Sequence, residues 1–533
     1  MGMQRPRRAA LWAAALAGSL AAGVAIATSE LIAGLIPGAP SLVIAMGTQA
    51  IALQPPGAKD VMTSLFGTND KAALNVLVIA AVIVIAAGAG VVAARRFRAG
   101  AFLFVLFGVV AALAAAAQPL VAPVPAIATA AVATAAGLVS LRFLLGLAPG
   151  SLSPAAPAGA VEALPAEPEW SPEWESPEWT RRRFLIASAA TLGGVVVAGT
   201  LGRLLLDAQH PEGVVSTSKL PAALMPVAAI AADQVLHAPG LTPLVISNDQ
   251  FYRIDTALEV PQVDISSWTL QVKGMVDHPL TFTYDDLLAM PLYEQYVTIA
   301  CVSNPVGGDL VGNTLWTGVR LKDVLAKAGI GQGATQIVGR SIDGFTVGFP
   351  TSWATAPERE PLIAVGMNRL PLPANHGFPA RLIVPGLYGY VSATKWLASI
   401  ELTTREAVDG YWVPLGWAKD GPILTQSRID FPASGQQISP GPIQIDGVAW
   451  APDRGVSAVE VSLDDGAWQS ATIGRPISNA TWVQWLLPWT ATTGRHSIEV
   501  RATDDAGVVQ TSQVTDPAPD GAHGHHRIFV NVS

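Results

Sequence analysis

Long apolar stretches dominate the first third of the chain, and a mixed pattern of polar and apolar positions follows them. A helix needs roughly 20 apolar residues to cross the hydrocarbon core of a membrane. Five stretches reach or approach that length, at residues 11–28, 74–94, 101–117, 126–147 and 184–205. We therefore predict an N-terminal α-helical membrane domain with four spans over residues 1–150 and a fifth span at 184–205.

The apolar stretch at residues 31–53 differs from these five, because Pro37, Pro40 and Gln49 interrupt it. Proline inside a helix removes a backbone hydrogen bond and clashes with the preceding turn. We expect this stretch to form an outer loop or a re-entrant segment.

Arginine clusters recur between the spans. They are Arg5, Arg7 and Arg8 before the first span, Arg95, Arg96 and Arg98 after the second, and Arg181, Arg182 and Arg183 before the fifth. Short loops rich in Lys and Arg tend to remain cytoplasmic. We predict a multi-pass protein of the cytoplasmic membrane, with its N-terminus in the cytoplasm and everything after residue 205 outside.

Residues 151–183 are predicted to form a cytoplasmic linker. The segment is rich in Pro, Glu and Trp, and it repeats Pro-Glu-Trp at 168–170, 172–174 and 177–179. Proline at this density excludes a continuous helix, so we expect an extended conformation.

The linker ends in the run Thr-Arg-Arg-Arg-Phe-Leu at 180–185, directly before the fifth span. This run resembles a twin-arginine export signal, although a stop-transfer flank that obeys the positive-inside rule would carry similar charges. We favour the export signal. Proteins that use this route fold before export, and a common reason for that is a cofactor inserted in the cytoplasm.

Two patterns divide the chain after the fifth span. Residues 206–410 combine helical segments at 284–290 and 321–328 with strands at 268–272, 296–301, 341–347 and 381–384, which predicts an α+β domain. Residues 421–533 contain short strands separated by turn signals, at 442–445, 456–463, 482–487, 496–502, 508–514 and 528–532. This spacing without helices predicts an immunoglobulin-like β-sandwich.

Charge and motif content exclude several classes of function. The net charge of −8 argues against a nucleic-acid partner. The sequence has no Gly-x-Ser-x-Gly elbow, no His-Glu-x-x-His and no P-loop. No histidine lies in a predicted span, so we predict no haem. The histidines at 523, 525 and 526 are expected to lie in an exposed turn rather than at a metal site.

Cys301 is the only cysteine of the chain, so it cannot form an internal disulfide. It follows a β-branched strand and precedes the pair Gly307-Gly308. A lone cysteine in this position is either a small core residue or a ligand. Farther along the chain, His376, Arg381 and Lys395 could supply donors that converge on a phosphate or an anionic heterocycle.

Several motifs in a fixed order resemble those of a known family. They are Phe251-Tyr252, Trp268-x-Leu-x-Val-x-Gly274, Cys301-x-x-Asn304, Trp316-x-Gly-Val, His376-Gly-Phe-Pro-x-Arg381 and Lys395-Trp396. This part of the chain resembles the sulfite-oxidase family of molybdopterin enzymes, and the C-terminal part resembles the dimerisation domain that follows the cofactor domain in many members. With its N-terminal spans, the whole chain resembles a membrane-bound actinobacterial-type branch.

The resemblance implies a molybdenum–molybdopterin cofactor and two-electron oxygen-atom transfer. Cys301 would be the catalytic residue and the thiolate ligand of molybdenum, since soft sulfur suits this metal. The residues implied to hold the pterin and its phosphate lie on both sides of that cysteine: Asn248, Tyr252, Arg253, Ser341, His376, Arg381, Ala393, Thr394 and Lys395.

The resemblance leaves the substrate open. Sulfite-oxidising members carry an Arg soon after Phe-Tyr, with Asn-His following, whereas here Arg253 comes directly after Tyr252 and is followed by Ile-Asp-Thr. We expect a sulfite-oxidase-like enzyme outside the cytoplasm that acts on a small oxo-anion or a sulfoxide. The alternatives are a reductase of protein methionine sulfoxide or of other S- or N-oxides, and a non-catalytic, membrane-anchored interaction protein with a vestigial cofactor domain. The expected partners are a separate electron carrier, either a cytochrome or the quinone pool, and a second copy bound through the C-terminal domain.

Replacing Arg181 and Arg182 by Lys tests the export signal. Lys retains the positive charge on which membrane topology depends but removes the arginine pair. We expect the part after residue 205 to stay in the cytoplasm, so that protease added outside intact spheroplasts digests the wild type and spares the variant. Cleavage of the variant at the wild-type rate would contradict the export signal and support the stop-transfer alternative.

Overall fold

The computed structural model describes residues 5–55, 58, 62, 65–66, 70–148, 177–209 and 219–533. The chain divides into two compact units, Met1–Pro211 with Ala257–Glu259, and Glu212–Thr256 with Val260–Ser533. The first unit is helical, and the second consists mainly of β-strands.

Six helices make up the described part of the first unit. They are α1 (Arg5–Leu35), α2 (Leu42–Ala52), α3 (Asp70–Arg95), α4 (Phe97–Ala116), α5 (Pro123–Leu147) and α6 (Pro177–Gln209). All of them except α2 are long and apolar enough to cross a membrane. Within the described residues, the number of helices that could cross a membrane is therefore five, as predicted.

Two helix boundaries differ from the prediction. The stretch at 31–53 is largely helical, because α1 continues through its first part and α2 occupies its second. The break is confined to residues 36–41, where the Ser41 side chain caps α2 by accepting a hydrogen bond from the Ile44 amide at 3.2 Å. The second difference concerns the start of α6, which begins at Pro177, inside the predicted linker. Proline is tolerated in the first turn of a helix, because its missing N–H is not needed there. The rest of that linker, residues 151–176, lies outside the described residues.

Small residues let the long helices approach one another closely. A Cβ on Gly18 of α1 would lie 2.1 Å from the carbonyl oxygen of Ala86 on α3, and one on Gly34 would lie 2.4 Å from that of Gly202 on α6. Close backbone approach of this kind stabilises helix pairs in a membrane, where the burial of apolar side chains contributes little.

The first part of the second unit mixes ten strands with short helices. The strands are β1 (Thr269–Gly274), β2 (Leu280–Thr283), β3 (Tyr293–Ala300), β4 (Val311–Arg320), β5 (Gln336–Ser341), β6 (Thr346–Pro350), β7 (Leu362–Met367), β8 (Leu370–Pro371), β9 (Arg381–Ile383) and β10 (Leu397–Thr403). The α-helices are α7 (Tyr284–Ala289), α8 (Leu321–Ala328), α9 (Thr351–Thr355) and α10 (Gly389–Ser392). One sheet has the order β2-β1-β10-β5-β6, and the other has the order β3-β4-β7-β8 with β9 paired to β7.

The second part of this unit consists of two sheets. Its strands are β11 (Gln426–Phe431), β12 (Gln437–Ile438), β13 (Gly441–Trp450), β14 (Val456–Leu463), β15 (Gln469–Ser470), β16 (Thr472–Ile473), β17 (Val483–Ala491), β18 (Gly494–Asp504) and β19 (His526–Val532). The sheet orders are β11-β13-β17-β16 and β12-β19-β18-β14-β15. Apolar side chains from both sheets, including Val461, Trp485 and Val500, form one core.

Two predicted strands are wrong. Residues 341–347 form the end of β5, a turn and the start of β6, because the Asp343 carboxylate accepts a hydrogen bond from the Phe345 amide at 3.0 Å and closes the turn. Residues 508–514 form a loop. There the Gln510 side chain accepts a hydrogen bond from the Ala502 amide at 3.0 Å, which satisfies a group that a neighbouring strand would otherwise pair.

Strand β13 buries both of its faces. Ile445 and Ala449 belong to the core between the two C-terminal sheets, whereas Val448 and Trp450 belong to the core of the first part. Successive side chains of a strand point to opposite faces, so the sheet that contains β13 contributes side chains to both cores. The two parts of this unit therefore share one continuous interior.

A second link between these parts involves β3. The Thr298 amide donates to the carbonyl oxygen of Ala480 at 2.8 Å, and the Thr298 hydroxyl accepts from the Trp482 amide at the same distance. The Trp482 indole N–H in turn donates to the carbonyl oxygen of Leu244 at 2.8 Å. These bonds fix β3 close to its C-terminal end.

Replacing Asp446 of β13 tests a buried charge at this junction. Asp446 is fully buried, and no other side chain pairs with its carboxylate among the described residues. Burial, and then nearby Asp430, raises its pKa to about 7 against the opposing effect of the Phe431 amide. Between about pH 4 and that value the unfolded chain ionises while the folded chain holds the proton, so stability falls as the pH rises. We expect Asp446→Asn to be increasingly more stable than the wild type across this range, as measured by denaturant unfolding of the purified full chain.

The control for this measurement is Asp516→Asn, which alters an exposed carboxyl in a C-terminal loop. We expect its unfolding midpoint to follow that of the wild type at each pH. A constant offset between Asp446→Asn and the wild type from acid to neutral pH would contradict the raised pKa.

Candidate functional site

Cys301 lies directly after β3, at the base of a closed loop. Its amide donates to the carbonyl oxygen of Leu310 at 2.9 Å, and the Asn304 side chain accepts from the Leu310 amide at 2.9 Å. The Asn304 amide donates back to the carbonyl oxygen of Cys301 at 3.1 Å. The cysteine is buried, and its sulfur lies 2.9 Å from the Ser303 hydroxyl. The sulfur is therefore held at one fixed point of the loop.

The charge of Cys301 affects the pKa values of two tyrosines, Tyr252 and Tyr388. Burial, and secondarily the charge of Cys301, raises the pKa of Tyr252 well above its usual value. The same two causes act on Tyr388, with burial again the larger, and its pKa rises to about 12. Both hydroxyls therefore stay protonated at neutral pH and can act as hydrogen-bond donors.

Sequence reasoning missed Tyr388 as a site residue. It precedes α10, and its hydroxyl accepts a hydrogen bond from the Leu424 amide at 3.4 Å. A Cβ on Gly521 would lie 2.6 Å from that hydroxyl, so the C-terminal part closes over this tyrosine. The run Tyr-Gly-Tyr at 388–390 marks a turn in the sequence, but only the fold brings the first of its tyrosines to the cysteine.

Arg381 provides a buried positive charge. It lies on β9, and its guanidinium carbon is 5.0 Å from the ring centroid of Trp316. One terminal nitrogen donates to the carbonyl oxygen of His376 at 3.1 Å, whereas the buried Nε has no partner among the described residues. Burial lowers the pKa to about 10, so the side chain remains a cation at neutral pH. A buried cation with an unsatisfied N–H requires an anion.

His376 is a neutral donor beside this arginine. It ends a short 3₁₀ helix, and its Nε2 donates to the carbonyl oxygen of Asn248 at 2.9 Å. Burial, and then the charges of Lys395 and Arg381, lowers the pKa to about 3, so the ring is uncharged at neutral pH. The Asn248 side chain accepts from Asn368 at 2.8 Å. Asn248 thus orients the histidine through its backbone.

Lys395 and Arg253 share the carboxylate of Asp255, a site residue that sequence reasoning also missed. The Lys395 amino group lies 3.0 Å from Asp255 Oδ2 and donates to the carbonyl oxygen of Asn375 at 2.9 Å. Arg253 Nε donates to the same Asp255 oxygen at 2.9 Å. Burial lowers the pKa of Lys395 to about 8, despite the opposing effect of Asp255. The only sequence signal for this arrangement is the acidic residue two positions after Arg253.

Three predicted residues remain: Ser341, Ala393 and Thr394. Ser341 accepts from the Asp343 amide at 3.3 Å, and the pKa of Asp343 is raised by burial and modified by Asp255 and Lys395. Ser341 is thus connected to the site through its neighbour. Ala393 and Thr394 belong to the segment that precedes Lys395; the hydroxyl of Thr394 is buried without a hydrogen-bond partner among the described residues.

The C-terminal part contacts the cysteine loop directly. Arg428 donates to the carbonyl oxygen of Gly308 at 3.0 Å. Gly307 has a φ of 74°, and a Cβ there would lie 2.2 Å from His526, which leaves no room for a side chain. Burial lowers the pKa of His526 to about 4, so a neutral ring packs against the loop.

The prediction of an exposed turn at the C-terminal histidines is wrong for two of them. His526 packs against the cysteine loop, and His525 is buried with its Nδ1 2.7 Å from Glu499. The strand β19 begins at His526 and draws both residues into the fold. No group of three potential ligands that could hold a metal ion occurs among the described residues.

The residues around Cys301 fit an anionic group that makes many hydrogen bonds. Arg381 Nε and Asn375 Oδ1 are buried polar atoms without partners among the described residues. Arg253, Arg381 and Lys395 bring positive charge, and Asp255 is the carboxylate in direct contact with two of them. A phosphate-bearing heterocycle would accept from Arg381 Nε, could donate a ring N–H to Asn375 Oδ1, and would balance the excess of positive charge.

Comparison with known proteins agrees with this chemistry. Residues 257–412 match the family described as oxidoreductase molybdopterin binding domain. The chain is 29% identical over 347 residues to the mitochondrial sulfite oxidase of Homo sapiens, and this alignment covers 55% of this chain and 63% of that protein. It is 28% identical over 325 residues to the sulfite oxidase of Arabidopsis thaliana, covering 50% of this chain and 82% of that protein.

A bacterial relative matches at higher identity over a shorter region. The uncharacterized oxidoreductase YuiH of Bacillus subtilis is 37% identical over 158 residues, which covers 30% of this chain and 76% of that protein. By contrast, the chain spans less than two thirds of the mitochondrial sulfite oxidases that it matches, 63% of the human protein and 59% of the Macaca fascicularis protein.

Replacing Arg381 tests the anion cradle. Arg381→Lys keeps the charge but loses the planar set of donors, and Arg381→Met loses both. We expect the molybdenum content of the purified full chain to fall about tenfold or more in Arg381→Met, with a smaller loss in Arg381→Lys. The measurement is elemental analysis together with pterin fluorescence after oxidation.

The matched control is Arg340→Met, which removes a guanidinium paired with Glu401 at 2.9 Å on β5. We expect it to retain the wild-type molybdenum and pterin content. Equal content in Arg381→Met and the wild type would contradict the assignment of Arg381 to the cofactor.

Proposed function

Because the chain belongs to the sulfite-oxidase family of molybdopterin-dependent oxidoreductases, we propose that it transfers oxygen atoms in two-electron steps on the outer side of the cytoplasmic membrane. The observation that carries this proposal is the fixed sulfur of Cys301, whose charge acts on Tyr252 and Tyr388, together with a buried and partly unsatisfied Arg381 whose charge also acts on Tyr252. The alternative of a vestigial cofactor domain has no support in this site, since the soft ligand and the buried cation are both in place.

The residues divide into those that would hold the metal and those that would hold the pterin. Cys301 would bind molybdenum as a thiolate, and the loop closed by Asn304 fixes its direction. Arg381 and Lys395 would hold the phosphate of the pterin, and His376 would lie beside them as a neutral ring whose single N–H donates to the Asn248 carbonyl. When bound, the cofactor supplies the two-electron redox chemistry at which an oxygen atom is exchanged.

Protein groups would also exclude water and orient the substrate. Tyr252 and Tyr388 are both protonated at neutral pH, and each can donate to an oxygen of a substrate near the sulfur. Tyr388 lies under the loop that contains Gly521, so the C-terminal part limits access of water from that side. This arrangement favours a small substrate.

We propose sulfite or a similar small oxo-anion as the substrate. The identity to sulfite oxidases supports an anion, and the cations of the site would attract one. A second candidate, reduction of a sulfoxide or N-oxide, is favoured by Asp255. This carboxylate offsets one of the three cations, and a pterin phosphate could neutralise the remainder, which would leave a site suited to an uncharged substrate.

Location and assembly form part of the same proposal. Five helices long enough to cross a membrane support membrane association, and the arginine clusters of the sequence support a cytoplasmic N-terminus. We further propose that the two C-terminal sheets form an immunoglobulin-like sandwich through which two copies associate. Exposed Val508, Val509 and Val514 in the loop after β18 offer apolar surface for such a contact. Electrons would pass to a separate carrier.

A substrate screen on the purified full chain tests the proposed function. Sulfite oxidation is followed with ferricyanide as electron acceptor, and reduction of dimethyl sulfoxide, methionine sulfoxide and trimethylamine N-oxide is followed with reduced viologen. We expect turnover of sulfite, because the site is cationic and the relatives oxidise it. Turnover of an S- or N-oxide alone would favour the second candidate, and a folded protein without molybdenum or pterin would overturn both.

Cys301→Ser tests the metal ligand within the same screen. Serine keeps the size of the side chain but replaces a soft ligand with a hard one, which suits molybdenum poorly. We expect the variant to fold and to retain pterin, while its activity falls to background and the electron paramagnetic resonance spectrum of its molybdenum changes. Activity within about threefold of the wild type would exceed what loss of a ligand allows and would contradict the assignment.

A further inference from the structure

The loop that carries the cysteine is a short closed segment with one contact chain inside it. It runs from Cys301 to Leu310, and the bond from the Cys301 amide to the Leu310 carbonyl joins its two ends. Gly308 packs against the side chain of Asn304, since a Cβ on Gly308 would lie 2.4 Å from Asn304 Oδ1. The Asn304 amide in turn donates to the carbonyl oxygen of Cys301 at 3.1 Å. Contacts therefore connect Gly308 to the residue that bears the sulfur.

Arg428 on β11 holds this loop from the C-terminal part. One terminal nitrogen of its guanidinium donates to the carbonyl oxygen of Gly308 at 3.0 Å. Its Nε donates to Asp430 Oδ1 at 2.6 Å, and its other terminal nitrogen donates to the Thr242 hydroxyl at 2.9 Å. The second oxygen of Asp430 accepts from the Thr242 amide at 3.1 Å. All three nitrogens of the guanidinium are thus engaged, and the carboxylate is held at both of its oxygens.

Burial and geometry make this contact stiff. The Arg428 and Asp430 side chains are only 12% and 6% exposed, so water competes little for their hydrogen bonds. A planar guanidinium that is fixed by a carboxylate and a hydroxyl has its remaining donor pointing in one direction. A hydrogen bond from a charged donor is also stronger than one between neutral groups. The cluster therefore presents one oriented, charged donor to the loop.

The same strand supports a second contact with the loop. The Ile429 amide donates to His526 Nδ1 at 3.0 Å, which leaves Nε2 to carry the proton of the neutral ring. That ring fills the space beside Gly307, where a Cβ would lie 2.3 Å from Nε2. Adjacent residues of β11 thus act on adjacent residues of the loop, Arg428 directly on Gly308 and Ile429 through the histidine on Gly307.

We propose that Arg428 is a positioning residue for the sulfur of Cys301, which it holds in place through Gly308 and Asn304. The proposal rests on the proposed function, since it concerns the metal ligand of that enzyme. Without the arginine, the loop would open more often, which exposes the sulfur and varies the direction from which it meets the metal. A displacement of about 1 Å is sufficient to impair catalysis strongly.

The reactivity of the thiol tests this proposal directly. Cys301 is the only cysteine of the chain, so its reaction with an aromatic disulfide that releases a coloured thiolate reports on this loop alone. The full chain is purified without cofactor from a host that cannot synthesise molybdopterin, and the rate of this reaction is compared between the wild type and Arg428→Met. The matched control is Arg359→Met, which removes another guanidinium that joins the first part to the C-terminal part. Its hydrogen bonds go to Asp453 and Glu358 rather than to the loop.

We expect the thiol of Arg428→Met to react about tenfold faster than that of the wild type, which is the factor that loss of one hydrogen bond to a charged group implies. Arg359→Met should react at the wild-type rate. In protein loaded with cofactor, Arg428→Met should retain its molybdenum and pterin. The electron paramagnetic resonance spectrum of its molybdenum should change, and its sulfite oxidation should decrease about tenfold.

A second variant decides the proposal should Arg428→Met fail to fold, as judged by near-ultraviolet circular dichroism. Thr242→Val keeps the arginine and removes only the hydroxyl that orients it, and we expect its thiol to react about threefold faster than that of the wild type.

Several results would overturn the proposal. They are a wild-type thiol rate in the folded variants, equal acceleration in Arg428→Met and Arg359→Met, and an unchanged paramagnetic resonance spectrum in Arg428→Met. Absence of molybdenum and pterin from the wild type would instead count against the proposed function, while the thiol rates would still report whether Arg428 holds the loop.

Discussion

The two hydrogen bonds that Thr298 makes with the segment 480–482 determine much of the architecture of the second unit. They lie three residues before Cys301, at the end of the strand that carries it. Without them, β3 would be joined to the C-terminal part only through the contacts of the cysteine loop with Arg428 and His526. With them, the position of the sulfur depends on strands that come almost 200 residues later in the chain.

The chemistry of the site follows from burial of positive charge. Arg381 and Lys395 are nearly inaccessible to water, and each has only part of its hydrogen-bonding capacity satisfied by the protein. Such groups are costly unless an anion is present. The site is therefore preorganised for an anionic group, and Asp255 reduces the excess of positive charge that such a group would meet.

The sequence allowed the larger features to be predicted, because they depend on local patterns. Five spans could be counted from apolar length alone, and the motifs around Cys301 and Arg381 were sufficient to suggest the family. The turn at Asp343 and the loop at Gln510 were mistaken for strands, because side chains there satisfy backbone groups in ways that hydrophobic alternation does not reveal.

Other features of the site could not be predicted because they arise from contacts between distant segments. Asp255 reaches Lys395 across 140 positions of the chain, and Gly521 of the C-terminal part packs against the Tyr388 hydroxyl. The histidines at 525 and 526 were expected at the surface for the same reason. Patterns in one segment report which face is apolar, but they do not report which other segment covers it.

The two buried faces of β13 affect how this protein can be divided for experiments. A fragment that ends after β10 would contain every motif of the cofactor part, yet it would expose the apolar surface against which Val448 and Trp450 pack. It would also lose the partners of Thr298 and the contact of Arg428 with the cysteine loop. The boundary between the two parts, visible in the sequence as a change of pattern, is thus unsuitable as a cloning boundary, and the smallest fragment with an intact interior runs to the last strand.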